Sequence, residues 1–306
     1  MAFISRRRFL QGAGVSLFGA ASLGSYAFAI EPNFMLDVTR YRVTPRNWPA
    51  GLTLTVALIA DIHASEPWMP AARVRRIAEL TNSLKPDLTL LLGDYNGGVQ
   101  AMTRPVMPHE WGEALSILTA PLGAYAILGN HDWWHGPLPN MPSDDAESVR
   151  RALQGAGIRV LENEALRLSK DGKPFWLAGL ADQIAIKRGR GRFFGLDDLP
   201  GTLAQVGDDA PLLLMAHEPY IFHRLPERVA LTFCGHTHGG QINFPIAGPA
   251  IAASRFGPEL VYGLVGDERR PMIISAGLGT SIVPVRFMRP PEIVHVTIGA
   301  PALPTA

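Results

Sequence analysis

A short stretch rich in histidine and glycine has the residue types of a metal-binding site. Residues 235–241 read Gly-His-Thr-His-Gly-Gly-Gln and follow an apolar run at 229–233. Side chains two residues apart in an extended segment point the same way, so His236 and His238 can face one metal ion. The flanking glycines leave room for a bound group. Because His-x-His pairs also occur in ordinary polar loops, a metal site requires further donors elsewhere in the chain.

Four other apolar runs end in residues that commonly bind metals. Buried strands read as continuous apolar runs, and ligands bind outside the carboxyl ends of such strands. The donors after these runs are Asp61 and His63 after 52–60, Asp94 after 88–92, Asn130 and His131 after 124–128, and His217 after 211–216. Five strands that bring oxygen and nitrogen donors to one rim predict a site for two metal ions, rather than five unrelated polar residues at strand ends.

These motifs, in this order along the chain, resemble those of the calcineurin-like metallophosphoesterases. They are Asp-x-His, Gly-Asp, Gly-Asn-His-Asp, a single His and Gly-His-Thr-His, and the resemblance extends over residues 50–300. The sequence at 235–241, Arg-Phe at 286–287 and Pro-Pro-Glu-Ile at 290–293 are similar to those of small exported or membrane-attached bacterial phosphodiesterases. The resemblance implies an α/β fold in which two packed mixed β-sheets are flanked by helices, an α/β/β/α sandwich.

The resemblance also implies a role for each donor. One metal ion is expected to bind Asp61, His63 and His238. The second is expected to bind Asn130, His217 and His236, while Asp94 bridges the two and so takes part in catalysis. A hydroxide between the ions, with its pKa lowered toward about 7, would attack the phosphorus. His131 is expected to be catalytic rather than a ligand, donating a hydrogen bond to the phosphate or protonating the leaving oxygen.

The chemistry of the donors indicates which metals fit. The set contains carboxylates, an amide and imidazoles but no thiolate, which suits two ions of Mn, Fe or Zn better than a structural zinc site. The one cysteine, Cys234, ends an apolar strand. It is expected to be a small buried hydrophobic residue without a disulfide.

Several residues near the motifs have two interpretations. Asp132 can orient a neighbouring imidazole, or it can be a turn residue that bonds local backbone. Trp133 and Trp134 can line a leaving-group pocket, or they can be core aromatics. The stretch 187–194, Lys-Arg-Gly-Arg-Gly-Arg-Phe-Phe, can dock a phosphorylated or lipid headgroup or the anionic membrane face, or it can be a solvated flexible loop. The glycine-rich segment 277–281 is expected to bring its backbone close to the site.

Apolar runs and helical periodicity predict alternating strands and helices in the first half. After an edge strand at 37–43, helices are expected at 70–84, 109–119 and 144–154. The order β-α-β-α-β-α implies a partly parallel sheet. In the second half, shorter spacers separate strands that together suit a second sheet packed on the first. These strands are expected at 165–168, 175–180, 212–216, 230–234, 272–276 and 293–298.

The N-terminus has the features of an export signal. Residues 5–10 read Ser-Arg-Arg-Arg-Phe-Leu, a twin-arginine motif, and a glycine-diluted apolar stretch leads to an Ala-Phe-Ala cleavage site at 27–29. We expect export with cleavage, to the periplasm or the outer face of the membrane, and an uncleaved anchor is the alternative. The chain then divides into a signal segment, 1–29, a linker with the edge strand, 30–50, and one catalytic domain, 51–306.

The charge balance excludes a general nucleic-acid-binding surface. Removal of 1–29 takes away three arginines and no acid, so 25 basic and 27 acidic side chains remain of 28 and 27. With the resemblance, the sequence predicts a metal-dependent phosphodiesterase that hydrolyses a small or lipid-linked phosphoester at the cell envelope, without a nucleic-acid partner. The alternatives are a pyrophosphatase acting on a nucleotide-linked diacyl sugar and a non-catalytic, metal-dependent binding module at the envelope.

Overall fold

The computed structural model describes residues 6–99, 101–134, 144, 146–244, 248–249 and 257–299, and the described part opens with helical structure. A helix, Arg6–Ser25, runs into a π-helical turn, Tyr26–Ile30, and a short helix, Glu31–Phe34. Within the described part of the chain, no helix combines the length and apolar character needed to cross a bilayer. Residues 1–5 of the predicted export signal lie outside the described residues.

Six strands form the first sheet. In spatial order they are Asp37–Val43, Glu292–Ile298, Leu54–Ile59, Leu88–Leu91, Ala124–Ala126 and Arg159–Val160. The last four run parallel to one another, as the alternating pattern predicts. Their carboxyl ends therefore lie along one edge of the sheet, where ligands gather in open α/β sheets.

The second sheet has a parallel centre and antiparallel outer strands. In spatial order its strands are Gly263–Val265, Met272–Ile274, Val229–Cys234, Leu212–Met215, Lys173–Gly179 and Glu164–Lys170. The four central strands are parallel, and each outer strand pairs antiparallel with its neighbour.

The two sheets pack face to face through one apolar core. Side chains of the first sheet such as Val56 and Leu58 belong to the same buried cluster as Phe175, Leu213 and Phe233 of the second. Because successive strand residues point to opposite faces, the remaining apolar side chains form two outer layers.

Helices cover those outer layers. Ala71–Ser83, Pro108–Leu115 and Glu147–Gly155 bury their apolar faces on the first sheet. The short helix Leu199–Leu203 and the 3₁₀ segment Pro219–Arg224 cover the second. The predicted fold class, two mixed sheets flanked by helices, is confirmed.

The three predicted helices are present with shifted ends. The helix expected at 109–119 ends at Leu115, because the Asn82 side chain binds the next backbone groups. Its Nδ2 donates to the carbonyl of Ile117 at 2.7 Å, and its Oδ1 accepts from the N–H of Thr119 at 2.9 Å. The helix expected from 144 begins at Glu147, because Ala146 has a left-handed backbone.

The placement of the last strand in the second sheet is wrong. Glu292–Ile298 lies in the first sheet, parallel to Asp37–Val43 and antiparallel to Leu54–Ile59. An alternating apolar pattern identifies a strand but does not specify its partner.

The segment before the edge strand is packed on the fold. Glu31 is buried, and its carboxylate accepts hydrogen bonds from the N–H groups of Met288 at 2.9 Å and Arg289 at 2.6 Å. The carbonyl of Ala27 accepts from the N–H of Arg286 at 2.9 Å. The end of the predicted signal segment and the start of the predicted linker are thus tied to segment 286–289.

Candidate metal centre

All the predicted site residues meet at one rim between the two sheets. From the first sheet, Asp61 and His63 follow Leu54–Ile59, Asp94 follows Leu88–Leu91, and Asn130 and His131 follow Ala124–Ala126. From the second sheet, His217 follows Leu212–Met215, and His236 and His238 follow Val229–Cys234. Each residue lies just beyond the carboxyl end of a parallel strand, so the topology itself gathers the donors.

One donor cluster consists of Asp61, His63 and His238. One donor atom from each lies within 4.8 Å of those from the other two. Nε2 of His63 is 3.1 Å from Nε2 of His238, and Nε2 of His238 is 3.8 Å from Oδ1 of Asp61. These are the three side chains expected to hold one ion.

A second cluster consists of Asp94, His217 and His236, again with donor atoms within 4.8 Å of one another. Oδ1 of Asn130 joins it, 2.8 Å from Nδ1 of His236. This cluster contains the three residues expected to hold the other ion, together with the expected bridge.

Asp94 stands between the two clusters. Its Oδ2 atom is 3.5 Å from Nε2 of His63 on one side and 3.2 Å from Nε2 of His217 on the other. Its Oδ1 atom accepts the backbone N–H of His131 at 2.8 Å, which fixes the carboxylate plane. The geometry is that of a carboxylate shared by two neighbouring sites.

Backbone carbonyls orient two of the imidazoles. Nδ1 of His63 lies 2.9 Å from the carbonyl oxygen of Asn96, and Nδ1 of His217 lies 2.6 Å from that of Leu92. A carbonyl accepts only from a protonated nitrogen, so Nδ1 of each ring carries a hydrogen and Nε2 is the nitrogen that faces the centre.

The backbone at the centre is unusual. Asp61, His63, Asp94, His236 and His238 all have positive φ angles, between 46° and 70°. Few residues other than glycine adopt this region, and clusters of such residues occur at functional sites.

Glycines allow other loops to approach these residues. A Cβ on Gly277 would lie 2.7 Å from Cβ of Asp61, and one on Gly129 would lie 2.4 Å from Oδ1 of Asp94. The N–H of Gly279 donates to the carbonyl of Asp61 at 2.7 Å. The predicted close approach of segment 277–281 is therefore present.

Burial determines the charge of the donors. It lowers the pKa of His236 to about 4 and that of His238 well below its usual value, so both rings are neutral. Burial also raises the pKa of Asp61 to about 7. For Asp94, burial acts in the same direction, but the neighbouring charges of His217 and His131 outweigh it and hold the pKa well below the usual range. Neutral imidazoles are the protonation state that binds metals.

The donors fit divalent cations. Oδ2 of Asp61 is buried and has no hydrogen-bond partner among the described residues, which is costly without a compensating charge. Two ligands in adjacent positions of an octahedral ion, each bonded at about 2.1 Å, lie about 3 Å apart. The spacing between Nε2 of His63 and of His238, and that between Nε2 of His217 and Oδ2 of Asp94, is close to this value.

Asp132 is a backbone anchor. Its Oδ1 accepts the N–H groups of Tyr95 at 2.9 Å and Asn96 at 3.2 Å, and its Oδ2 accepts those of Asp94 and Gly129, both at 2.9 Å. Of the two interpretations of Asp132, the structure favours the one in which its carboxylate bonds backbone groups. The bonds extend beyond its own turn and fix the loop that carries Asp94.

A cavity of about 160 Å³ opens beside the clusters. His131, Trp134, Gln241, Ser281 and Ile282 line it together with several of the donors. Trp134 is therefore a cavity wall, whereas Trp133 packs with the helices of the first sheet.

The basic stretch expected as a loop is a β-hairpin with strands Ile186–Arg188 and Arg192–Phe194. It packs on Trp134: the Phe193 ring stacks on the indole at 5.3 Å, and Nζ of Lys187 lies 3.7 Å from the ring centre.

Sequence reasoning missed a buried acidic pair beside the centre. Asp182 and Glu218 are buried and form a further group of candidate donors with His217. Burial, with the nearby Glu218, raises the pKa of Asp182 well above its usual value. Asp182 follows an apolar strand, Lys173–Gly179, so the rule that located the other donors could have found it.

The fold and the two clusters together define a metal-dependent phosphoester hydrolase. The sequence profile of the calcineurin-like phosphoesterases matches residues 54–240, a range that contains every predicted donor. The chain belongs to the calcineurin-like phosphoesterase family.

Several relatives are similar over nearly their whole length. YkuE, an uncharacterized metallophosphoesterase of Bacillus subtilis, is 30% identical over 96% of this chain and 98% of its own. The phosphodiesterase YaeI of Escherichia coli is 29% identical over 95% and 97%. The UDP-2,3-diacylglucosamine pyrophosphatase LpxG of Chlamydia muridarum is 27% identical over 88% and 90%.

Proposed function

We propose that this phosphoester hydrolase is a phosphodiesterase that acts on a small or lipid-linked phosphoester at the cell envelope. The observation that carries the proposal is the position of Asp94. Its Oδ2 atom lies within 3.5 Å of a histidine nitrogen from each cluster, beside a cavity that His131 also lines. Two adjacent cations around a shared carboxylate suit the in-line displacement of a phosphoester oxygen.

Seven side chains would hold the ions. Asp61, His63 and His238 would bind one ion, Asn130, His217 and His236 the other, and Asp94 both. Mn, Fe and Zn accept such oxygen and nitrogen donors. When bound, the ions supply positive charge for the phosphate oxygens and lower the pKa of a bound water.

His131 has a separate role in this proposal. Its backbone N–H fixes Asp94, while its imidazole lines the cavity with Nε2 3.4 Å from Oγ of Ser281. From this position the ring can donate a hydrogen bond to a phosphate oxygen and deliver a proton to the leaving oxygen.

The relatives support a diester or diphosphate substrate. YaeI is named a phosphodiesterase, and LpxG is named a pyrophosphatase for a diacylated nucleotide sugar. Trp134 and Ile282 give the cavity apolar lining, which suits an apolar group attached to the phosphate. A pyrophosphatase acting on such a nucleotide-linked lipid is the second candidate. The twin-arginine motif supports an envelope location and favours the phosphodiesterase, because lipid assembly from nucleotide sugars is cytoplasmic.

One set of assays separates the candidates. The Mn-loaded full-length protein is given bis-aryl phosphate, mono-aryl phosphate and UDP-2,3-diacylglucosamine. A phosphodiesterase hydrolyses the first fastest, and a pyrophosphatase the third. Absence of turnover on all three, with two Mn bound per chain, would contradict the proposed function.

Two substitutions test the assigned roles. His131→Ala should keep both metals and lose about 10²–10⁴-fold in turnover, as expected for removal of a general acid. Asp94→Asn should lose metal and activity together. His109→Ala, which removes an exposed histidine far from the motifs, is the matched control and should match the parent. Loss of one metal in His131→Ala would instead make His131 a ligand.

A further inference from the structure

Exposed apolar side chains adjoin the cavity mouth. Apart from Leu196, Phe244 and Leu264, the large apolar residues that are exposed in the described part of the chain belong to three stretches. The first is the N-terminal segment, with Leu17, Phe18, Leu23, Phe28, Ile30 and Phe34. The second is the region around 281–288, with Ile282, Val283 and Met288, and the third is the hairpin at 186–194, with Phe194. Scattered exposed apolar residues are ordinary, but a set that rims one opening marks an interaction surface.

Two of these stretches adjoin the cavity. Ile282, 58% exposed, lines it directly. Trp134 lines it too and supports the hairpin through Phe193 and Lys187.

Contacts join the N-terminal segment to the side that carries Ile282. The carbonyl of Ala27 accepts the N–H of Arg286, and Tyr26 meets Phe287 edge to face with ring centres 6.2 Å apart. Phe244, also exposed, lies 6.0 Å from Phe287. These contacts place the rings of Tyr26 and Phe244 against Phe287, within segment 281–288.

The hairpin that packs on Trp134 is cationic. The hairpin exposes Lys187, Arg188, Arg190 and Arg192, and residues 183–196 contain no acid. Apolar side chains at the level of lipid chains, beside cations at the level of headgroups, are the composition that binds an anionic bilayer.

We infer that the face around the cavity mouth docks on an anionic phospholipid bilayer, with segment 281–288 inserted and the hairpin on the headgroups. The inference deepens the proposed function, because a lipid-linked phosphoester would then enter the cavity from the bilayer. Polar substrates in solution would still reach the same cavity.

Vesicle binding of the Mn-loaded full-length protein tests the inference. Vesicles are made of phosphatidylcholine alone or with roughly 30% anionic phosphatidylglycerol. Sedimentation should show strong binding to the anionic vesicles and weak binding to phosphatidylcholine alone. The triple variant Arg188→Gln, Arg190→Gln, Arg192→Gln should bind the anionic vesicles about 100-fold more weakly. The matched control, Arg75→Gln, Arg151→Gln, Arg269→Gln, makes the same change of charge at exposed positions elsewhere and should bind like the parent.

A fluorescent label tests which face inserts. Cys234 is buried, so a new surface cysteine can be labelled selectively. An environment-sensitive dye on Val283→Cys or Met288→Cys should shift to the blue on anionic vesicles, and the same dye on Arg151→Cys should not.

Each outcome has a distinct meaning. Equal binding by the two triple variants, or equal dye shifts at all three positions, would overturn the docking surface. Turnover of bis-aryl phosphate in solution is measured alongside. Turnover without vesicle binding would overturn only the docking inference, and vesicle binding without turnover of any phosphoester would overturn only the proposed function.

Discussion

Nε2 of His63 lies 3.1 Å from Nε2 of His238, with the two rings stacked at 16° and both side chains buried. The residues come from different sheets, so this contact joins the two halves of the sandwich at the rim. Nδ1 of His63 is engaged with the carbonyl of Asn96, so its Nε2 presents a lone pair toward His238. A cation beside Asp61 would bind both nitrogens.

His238→Ala should therefore remove one metal ion and leave the other. The cluster with Asp61 and His63 would retain only two side chains of its own plus the shared Asp94, whereas the cluster with His217 is unchanged. Metal analysis after dialysis should give two Mn per chain for the parent and one for the variant. His109→Ala should keep two, and retention of two by His238→Ala would show that the ring is not a ligand.

Asp132→Asn should be nearly as damaging as Asp132→Ala. Both carboxylate oxygens accept two buried N–H groups each, and the amide would turn an NH₂ group toward one of those pairs. Two unsatisfied donors cost about 2–4 kcal/mol of unfolding free energy. Denaturant unfolding of the metal-free protein measures this cost. A loss below about 0.5 kcal/mol for the Asn variant would contradict the anchoring role.

Glu31→Gln tests whether the segment before the edge strand belongs to the folded domain. The substitution replaces one of the two oxygens that accept from Met288 and Arg289, and it should lower the unfolding free energy by about 1–3 kcal/mol. Glu79→Gln, on an exposed helix face, is the control. An unchanged unfolding midpoint for Glu31→Gln would mean that the segment before the edge strand is not packed on the domain in solution.

The ion pair between Asp87 and Lys170 should make stability depend on pH in the acid range. It connects the two sheets, with Nζ of Lys170 at 2.5 Å from Oδ2 of Asp87, and Thr55 donates two further bonds. Partial burial raises the pKa of Asp87, but the bonds from Lys170 and Thr55 outweigh it and lower the pKa below the ordinary 3.8.

A lowered carboxyl pKa stabilises the folded state above the unfolded pKa, and this contribution is lost as pH falls through the folded pKa. Stability of the parent should therefore decline below pH 3.8 more steeply than that of Asp87→Asn. At neutral pH the variant should be about 1–2 kcal/mol less stable. If the unfolding free energies of the parent and of Asp87→Asn changed with pH in the same way, the lowered pKa of Asp87 would be contradicted.

Local sequence patterns predicted the donors better than the contacts that support them. Asp61, Asp94 and His217 were recognisable because each follows an apolar run, and parallel strands must end at one rim. The partners of Glu31 and Asp132 are backbone N–H groups of distant loops, which carry no residue signature. The sheet position of Glu292–Ile298 depended on pairing with Asp37–Val43, more than 200 residues away in the chain.

The charged hairpin shows a second reason why the sequence did not predict parts of the structure. Residues 187–194 contain glycines and arginines that fit a loop as well as a strand. The hairpin forms on Trp134, so tertiary packing rather than local propensity determines it.

The central claim is that Asp94 is shared by two cations held by donors from both sheets. Anomalous diffraction at the manganese absorption edge, from crystals of the Mn-loaded protein, tests it directly. We expect two peaks about 3.5–4 Å apart, one beside Asp61, His63 and His238 and one beside Asn130, His217 and His236, with the Asp94 carboxylate between them. A single peak, or two peaks that do not both adjoin Asp94, would contradict the claim.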